Sequence, residues 1–331
     1  MSSAPSIYDV SRLSGVSTAT VSRTFSCPSR VKEATRRKVY EAAEALNYSP
    51  NAIARSMAIQ RTDKIAYLIC KQGATILDEF YAGICDGILH TVNRTDYQLL
   101  VSTEEDWKLS GATAQSKSIE GVILGGKAEM SLISEFRAQG IPVVLVNYFV
   151  PGLELPSVVA DEAGGVRQAM EHLISRGHKR IAMLAGRLNP YVLSERYNAF
   201  VAIMKERELP LKPNDVKMCD PDVKSAEAAA RELLSLAPRP TAVLCANDVI
   251  AAGVCKAAHR LGLRLPEDLA VVGYDDASFC TMLDPELTSV HIDCRRMGEL
   301  CVERMTELLG EKPDVSEFTV VPTELIVRRS S

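Results

Sequence analysis

Apolar positions change their spacing along the chain near residue 64. Up to that point they recur at helical intervals: Ile7, Val10 and Leu13, then Val21, then Val39, Ala42, Ala43 and Leu46. Spacing by three and four marks amphipathic helices whose apolar stripe faces a small core. The first helix is predicted over Ser6–Ser14, with Ser6 as N-cap and Gly15 as terminator, and the second over Thr18–Phe25 behind the N-cap Ser17. A third is predicted over Lys32–Asn47. Two short helices joined across a glycine turn form a helix-turn-helix, whose second helix enters the major groove and meets base edges with its N-terminal residues. Thr18, Ala19, Ser22 and Arg23 then face DNA. Arg23 suits bidentate pairing to guanine O6 and N7, with a phosphate contact as the competing role. Lys32, Arg36, Arg37 and Lys38 read as a solvated face. The alternative for the whole segment is a protein-binding three-helix bundle.

After it, Ser49 and Pro50 stand as N-cap and first helical residue of a helix of about two turns. So short a helix is marginal in isolation, and it forms only where something else holds it.

From Lys64 the pattern becomes short apolar strands alternating with helices. Strands are predicted over Ile65–Cys70, Tyr97–Ser102, Gly121–Leu124 and Pro142–Asn147, with helices over Glu79–Asn93 and Ser131–Gln139. A second set of strands covers Arg180–Ala185, Val216–Cys219, Ala242–Ala246 and Leu269–Gly273. Its helices lie near Gly165–Arg176, Ser194–Glu208, Ser225–Leu236 and Ile250–Leu261. The alternation predicts an α/β fold of two doubly wound parallel sheets with a cleft between the lobes. Ligands bind beyond the carboxyl ends of such strands. There the chain places Asp161, Asn247 with Asp248, and Asp275 with Asp276, and Arg196 follows on a helix. An amide, carboxylates and a guanidinium suit a polyhydroxylated ligand, since hydroxyls both donate and accept. The competing reading is that Asn247 and Asp248 only cap the next helix. Asp248 and Asp276 read as caps; Arg196, Asn247 and Asp275 read as ligand groups.

Composition narrows the class. The 331 residues suggest two or three domains, and 47% hydrophobic with 24% charged residues exclude a disordered chain. Residues 1–64 hold 10 Lys and Arg against 5 Asp and Glu, and the rest holds 28 against 37, so a head of +5 precedes a body of −9. That asymmetry suits a nucleic-acid-binding arm. No apolar run reaches a membrane span, and no secretory signal precedes Ser6. The nine cysteines include no Cys-x-x-Cys pair and the five histidines no zinc spacing, so reduced thiols, a cytoplasmic location and no metal are expected. Gly121–Ala128 approaches the phosphate loop, but Ala128 cannot ligate magnesium and Val122–Leu124 is itself strand. Gly15–Ala19 lacks the last glycine of a nucleophile elbow. No enzyme and no cofactor are expected.

The order Tyr8-Asp9-Val10, Gly15-Val16-Ser17, Thr20-Val21-Ser22-Arg23 and Asn47-Tyr48-Ser49-Pro50-Asn51 resembles the headpiece of the lactose/galactose repressor (LacI/GalR) family. Gly177–Ala182, Ala246–Asp248, Val272–Asp276 and Leu287–Val290 resemble its ligand-binding body, so the likeness spans essentially the whole chain. The resemblance implies a transcription regulator, a repressor of carbohydrate-utilisation genes, acting as a cytoplasmic homodimer on a palindromic double-stranded operator. It implies a hinge helix that folds on DNA, with Asn51 and Ala54 toward DNA and Met57 as minor-groove wedge where the family carries leucine. It also implies a sugar or sugar phosphate held by Asp161, Arg196, Asn247 and Asp275. Domains are then expected at 1–47 (headpiece), 48–61 (hinge), 62–161 with 291–318 (first lobe) and 162–290 with 319–331 (second lobe). Departures are Ser11 for alanine, Thr24 for an aliphatic residue, Ala74–Leu77 where relatives place aromatics, Pro221 where some place a stacking tryptophan, and a short Glu104–Ile119 segment. No leucine-heptad extension follows Arg329, so a dimer is expected over a tetramer. A stand-alone periplasmic-type sugar-binding protein, or a regulator governed by a corepressor or protein partner, are the alternatives.

Overall fold

The structure, a computed structural model, describes residues 5–26, 31–48, 62–70, 78–109, 118–187, 190–310 and 318–331. The chain divides after Asp63 into two units. In the first, α1 (Ile7–Ser14), α2 (Thr18–Ser26) and α3 (Glu33–Ala45) enclose Val10, Val21 and Val39, all fully buried. The Asp9 carboxylate accepts from the Ser6 N–H at 2.9 Å and from its hydroxyl at 2.6 Å, closing the start of α1. Gly15 ends α1 at φ 70°, a left-handed conformation that glycine adopts without a Cβ clash. The Ser11 hydroxyl donates to the Val16 carbonyl at 2.6 Å and ties the turn. Buried Thr24 donates to the Thr20 carbonyl at 2.8 Å, so its polar atom is satisfied in the core.

One expectation about α1 fails. Leu13 is 56% exposed instead of facing inward. Each step of three residues turns the stripe by about 60°, so Leu13 has rotated off the face that Ile7 and Val10 share. Ser14 lies nearer its centre and donates to the Val10 carbonyl at 2.6 Å. The hinge segment, with Asn51, Ala54 and Met57, lies outside the described residues.

The second unit opens with β1 (Lys64–Ile69), α4 (Glu79–Val92), β2 (Gln98–Thr103), α5 (Glu104–Leu109), β3 (Gly121–Gly125), α6 (Met130–Ala138), β4 (Val143–Val146) and β5 (Ser157–Ala160). It continues through α7 (Glu162–Ser175), β6 (Ile181–Gly186), α8 (Pro190–Glu206), β7 (Val216–Cys219), α9 (Val223–Leu234), β8 (Ala242–Cys245), α10 (Asp248–Arg260) and β9 (Ala270–Asp275). Last come β10 (Thr288–Ile292), α11 (Cys294–Leu309), β11 (Phe318–Val321) and β12 (Thr323–Ile326). One sheet runs β11-β5-β4-β3-β1-β2 and the other β12-β10-β9-β8-β6-β7. All pairings are parallel except the antiparallel β10–β12 edge. Helices cover the strands, so central ones such as β3 and β6 are buried along their whole length, as parallel strands require. Gly121–Gly125 is one of them, which removes the loop a phosphate-binding motif would need.

The chain passes between sheets at Asp161, at Asp293 and at Pro322. The last passage corrects the expected boundary. Val320 and Val321 pair with Val159 and Ala160 and so belong to the first sheet, not the second. The apolar run continues as a parallel strand until Pro322, which has no N–H to extend the ladder. Trp107 is core: 1% exposed and 5.9 Å, centroid to centroid, from Phe136.

Candidate functional site

Both sheets aim their strand ends at one cavity of about 1540 Å³. The first sheet's side contributes Glu79 and Tyr81 from α4, Thr103 at the end of β2 with Glu104 just beyond it, Lys127 beyond β3 and Asn147 beyond β4. The second contributes Arg196 from α8, Asp220 and Pro221 beyond β7, Asn247 beyond β8 and Asp275 at the end of β9. Strand order reverses at β1/β3 in one sheet and at β6/β8 in the other, and such reversals are where open α/β sheets leave a ligand crevice.

Arg196 anchors the second side. It is 3% exposed, and its Nε–H donates to Glu162 Oε2 at 2.6 Å. One terminal nitrogen donates to the Ala246 carbonyl and the other to Asp275 Oδ1 at 3.3 Å. The guanidinium carbon lies 3.5 Å from the centroid of the Tyr274 ring, a cation–π contact. Burial works against its charge, but Glu162 and Asp275 outweigh burial and raise its pKa. Three of its five N–H donors are thus spent on the protein, so Arg196 orients Asp275 as much as it can bind a ligand.

Asp275 lines the cavity at φ 98°, a conformation side chains rarely adopt. Such strain persists where the surroundings over-determine it, and it gathers at binding sites. Burial lifts its carboxyl up to about 8, with Arg196 opposing and with Asp248 and Glu162 adding to the rise. Across the cavity Asn147 also has a positive φ, 55°, and hydrogen bonds to Tyr81.

The capping role expected of Asp248 falls to Asn247. Asn247 is the N-cap of α10: its Oδ1 accepts from the Ile250 N–H at 2.9 Å, which leaves the amide Nδ2 as its group for a ligand. Asp248 is not a cap. Its buried carboxylate accepts from the Ala277 N–H at 2.7 Å and the Ser289 hydroxyl at 2.6 Å, tying the loop after β9 to β10. Burial raises its pKa to about 6, and these hydrogen bonds oppose the rise. Asp276, also expected to cap, instead pairs with Arg328 at 2.7 Å and His291 at 3.2 Å. Asp161 is the N-cap of α7, accepting from the Gly164 N–H at 2.9 Å, and is not brought into the cavity wall. Arg196, Asn247 and Asp275 are brought together there.

Sequence reading missed Glu162, Tyr274, Asn147 and Glu79. Glu162 follows Asp161 directly, and a buried-looking glutamate at a helix start was the available signal. Asn147 was read only as a strand end, and Tyr274 only as the residue after one. For Glu79, whose Oε1 accepts from the Ser278 N–H at 2.7 Å across the cavity, nothing in the local pattern pointed to the contact.

On the first unit, α2 buries Val21 and Thr24 and turns Ala19 and Arg23 outward, with Thr18 and Ser22 half-buried beside them. One helix edge therefore carries all four residues expected at the bases. Among the described residues no group of histidine, cysteine and carboxylate side chains could hold a metal ion, and no helix is long and apolar enough to cross a membrane.

Comparison with known proteins covers both units. Residues 6–51 match the family described as bacterial regulatory proteins, lacI family, and residues 170–331 match the periplasmic binding protein-like domain. The HTH-type transcriptional repressor PurR of Vibrio vulnificus is 30% identical over 328 residues, covering 97% of each chain. Catabolite control protein A of Priestia megaterium is 30% identical over 331 residues, covering 98% of each. Among solved structures, the transcriptional regulator CelR–cellobiose complex is 31% identical with TM-score 0.73, covering 99% of this chain and 100% of that one. The lac repressor dimer bound to operator and the anti-inducer ONPF is 25% identical with TM-score 0.83, covering 99% of each.

Proposed function

The chain belongs to the lacI family of bacterial regulatory proteins, a DNA-binding transcription regulator, and from that premise we propose how it is switched. Two copies form a dimer in the cytoplasm whose headpieces read the two halves of a palindromic operator, with Thr18, Ala19, Ser22 and Arg23 at the base edges. The hinge residues Asn51 and Ala54 meet the minor groove, and Met57 wedges between base pairs there; methionine is apolar and long enough to unstack a step. A sugar or sugar phosphate binds in the cavity between the lobes, held by Arg196, Asn247 Nδ2 and Asp275. It shifts the lobe arrangement only as far as its affinities for the two arrangements differ. The controlled genes serve carbohydrate use, and the protein acts by binding without turnover. The two lobes correspond to 62–161 with 294–321 and to 162–292 with 323–331, the boundaries moved to Asp293 and Pro322.

The observation that carries this reading is the strained carboxylate of Asp275, clamped by Arg196 in a cavity that both sheets line. The test starts with selection of duplexes from a random library at stated salt, since affinity falls steeply with it. An enriched palindrome is expected; its absence, with and without candidate sugars, refutes the dimeric reader. On that duplex, Arg23→Ala should cost about 1–3 kcal/mol of specific binding and leave ligand response intact. Asp275→Asn should bind the duplex normally and lose the response to the sugar that releases or recruits wild type. A wild-type response in that variant refutes the cavity assignment.

A further inference from the structure

Carboxylates outnumber cations around the cavity. Among the described residues, nine Asp and Glu line it against four Lys and Arg. Three of the four cations are paired with carboxylates, and the fourth, Lys127, flanks Glu129. Lys108 lies 2.9 Å from both Glu104 and Glu129, Arg187 lies 3.1 Å from Asp220, and Arg196 is held by Glu162 and Asp275. Lys108, and after it Lys127, hold the Glu129 carboxyl below its ordinary range. On the second side burial lifts the Asp275 and Asp248 carboxyls, and the neighbouring carboxylates add to the rise, Asp248 and Glu162 on Asp275 and Asp276 on Asp248. A concave wall of one sign focuses its field into the space it encloses. A phosphate or carboxylate entering here would find each cation but Lys127 already held by a carboxylate, within a wall of net negative charge. A hydroxyl or ammonium group instead finds acceptors, and such charge-assisted bonds are the stronger kind.

We infer that this cavity selects against anions: its ligand is a carbohydrate without phosphate or carboxylate, either neutral or carrying an amino group. The inference rests on the reading of the cavity as the effector site and narrows it, since that reading admits a sugar phosphate.

The test measures the melting temperature of the full-length protein at constant ionic strength, which holds screening equal. The probes are inorganic phosphate, glucose 6-phosphate and glucuronate beside glucose, glucosamine and cellobiose. Phosphate and the two sugar anions are expected to shift melting no more than chloride does. Neutralising the two carboxylates paired with Lys108, in the double variant Glu104→Gln/Glu129→Gln, is expected to create a saturable phosphate response that wild type lacks. A saturable wild-type rise with phosphate, glucose 6-phosphate or glucuronate that Lys127→Ala weakens overturns the inference. So does a double variant that stays blind to phosphate. Failure of the underlying reading looks different: a neutral sugar would raise the melting temperature equally in wild type and Asp275→Asn, which places it outside the cavity.

Discussion

Arg196 and Asp248 show how single buried charges are kept in this fold. Arg196 has lost nearly all contact with solvent, and its charge is balanced by Glu162, itself 2% exposed. Breaking such a pair from one side leaves the other charge buried and alone, which costs about 3–5 kcal/mol. Arg196→Met should therefore lower the unfolding free energy of the second unit, read by urea titration, by that order, whereas Glu162→Gln/Arg196→Met should recover part of the loss. Equal losses in the single and double variants would contradict the pairing. Asp248 supplies a pH signature. Its folded pKa, about 6, lies above the ordinary 3.8, so the folded state holds the proton more tightly than the unfolded chain. The contribution is fully present below pH 3.8 and is lost as pH rises through 6. Over that window it amounts to about 3 kcal/mol. Asp248→Asn should flatten the slope of stability against pH there, read from urea titrations at stepped pH; an unchanged slope would place the titrating group elsewhere. At this scale the sequence was legible for residue types and less so for roles. Asn247, Asp248 and Asp275 stood out because they follow strands. Which of the first two caps α10 depended on a serine 41 residues away, Ser289, which accepts no place in any local pattern.

Helix packing in the second unit depends on missing side chains. Where α4 crosses α11, a Cβ on Gly87 would meet the Arg295 carbonyl oxygen at 2.0 Å, and one on Gly298 would meet the Ile84 carbonyl oxygen at 2.1 Å. Where α9 meets α10, a Cβ on Gly253 would lie 2.5 Å from that of Ala226. Backbone cannot yield as a flexible side chain can, and overpacking of this kind costs about 1–3 kcal/mol. Gly87→Ala and Gly298→Ala should each lower thermal stability by that order. Together they should cost less than the sum, because one separation of the helices relieves both clashes; strict additivity would refute a shared interface. Neither glycine announces itself in the sequence, since a glycine inside a helical pattern looks the same whether it is tolerated or required. The elements that were predicted were legible to within a few residues, because strands buried on both faces leave unbroken apolar runs such as Ile181–Ala185, whereas α5, α11 and β5 were not read as elements. Misreadings fell where a pattern was too short to fix its phase, at Leu13 in an eight-residue helix, and at Val320, where two sheets share one apolar run split by Pro322.

At the scale of the whole molecule, each unit has a core of its own among the described residues. Val10, Val21, Val39, Ala42 and Ala43 form one cluster whose partners all lie between Ile7 and Tyr48. The clusters of the second unit draw on residues from Ile65 onward. Two separate cores predict two cooperative transitions in place of one, and a chain of this kind departs from two-state unfolding. The smaller transition belongs to some forty described residues, near the size at which a single core becomes marginal, so it should melt first. Val21→Ala removes two methyl groups from that core, and large-to-small changes of this kind cost about 1–3 kcal/mol. Calorimetry of the variant should show the small transition shifted to lower temperature, with the large one unmoved. Operator binding should fall in parallel with the first transition, while a sugar that stabilises the second should do so as in wild type. A single transition shifted as a whole would mean that the two units unfold together, and the head would then sense the cavity through shared stability instead of through the segment that joins them.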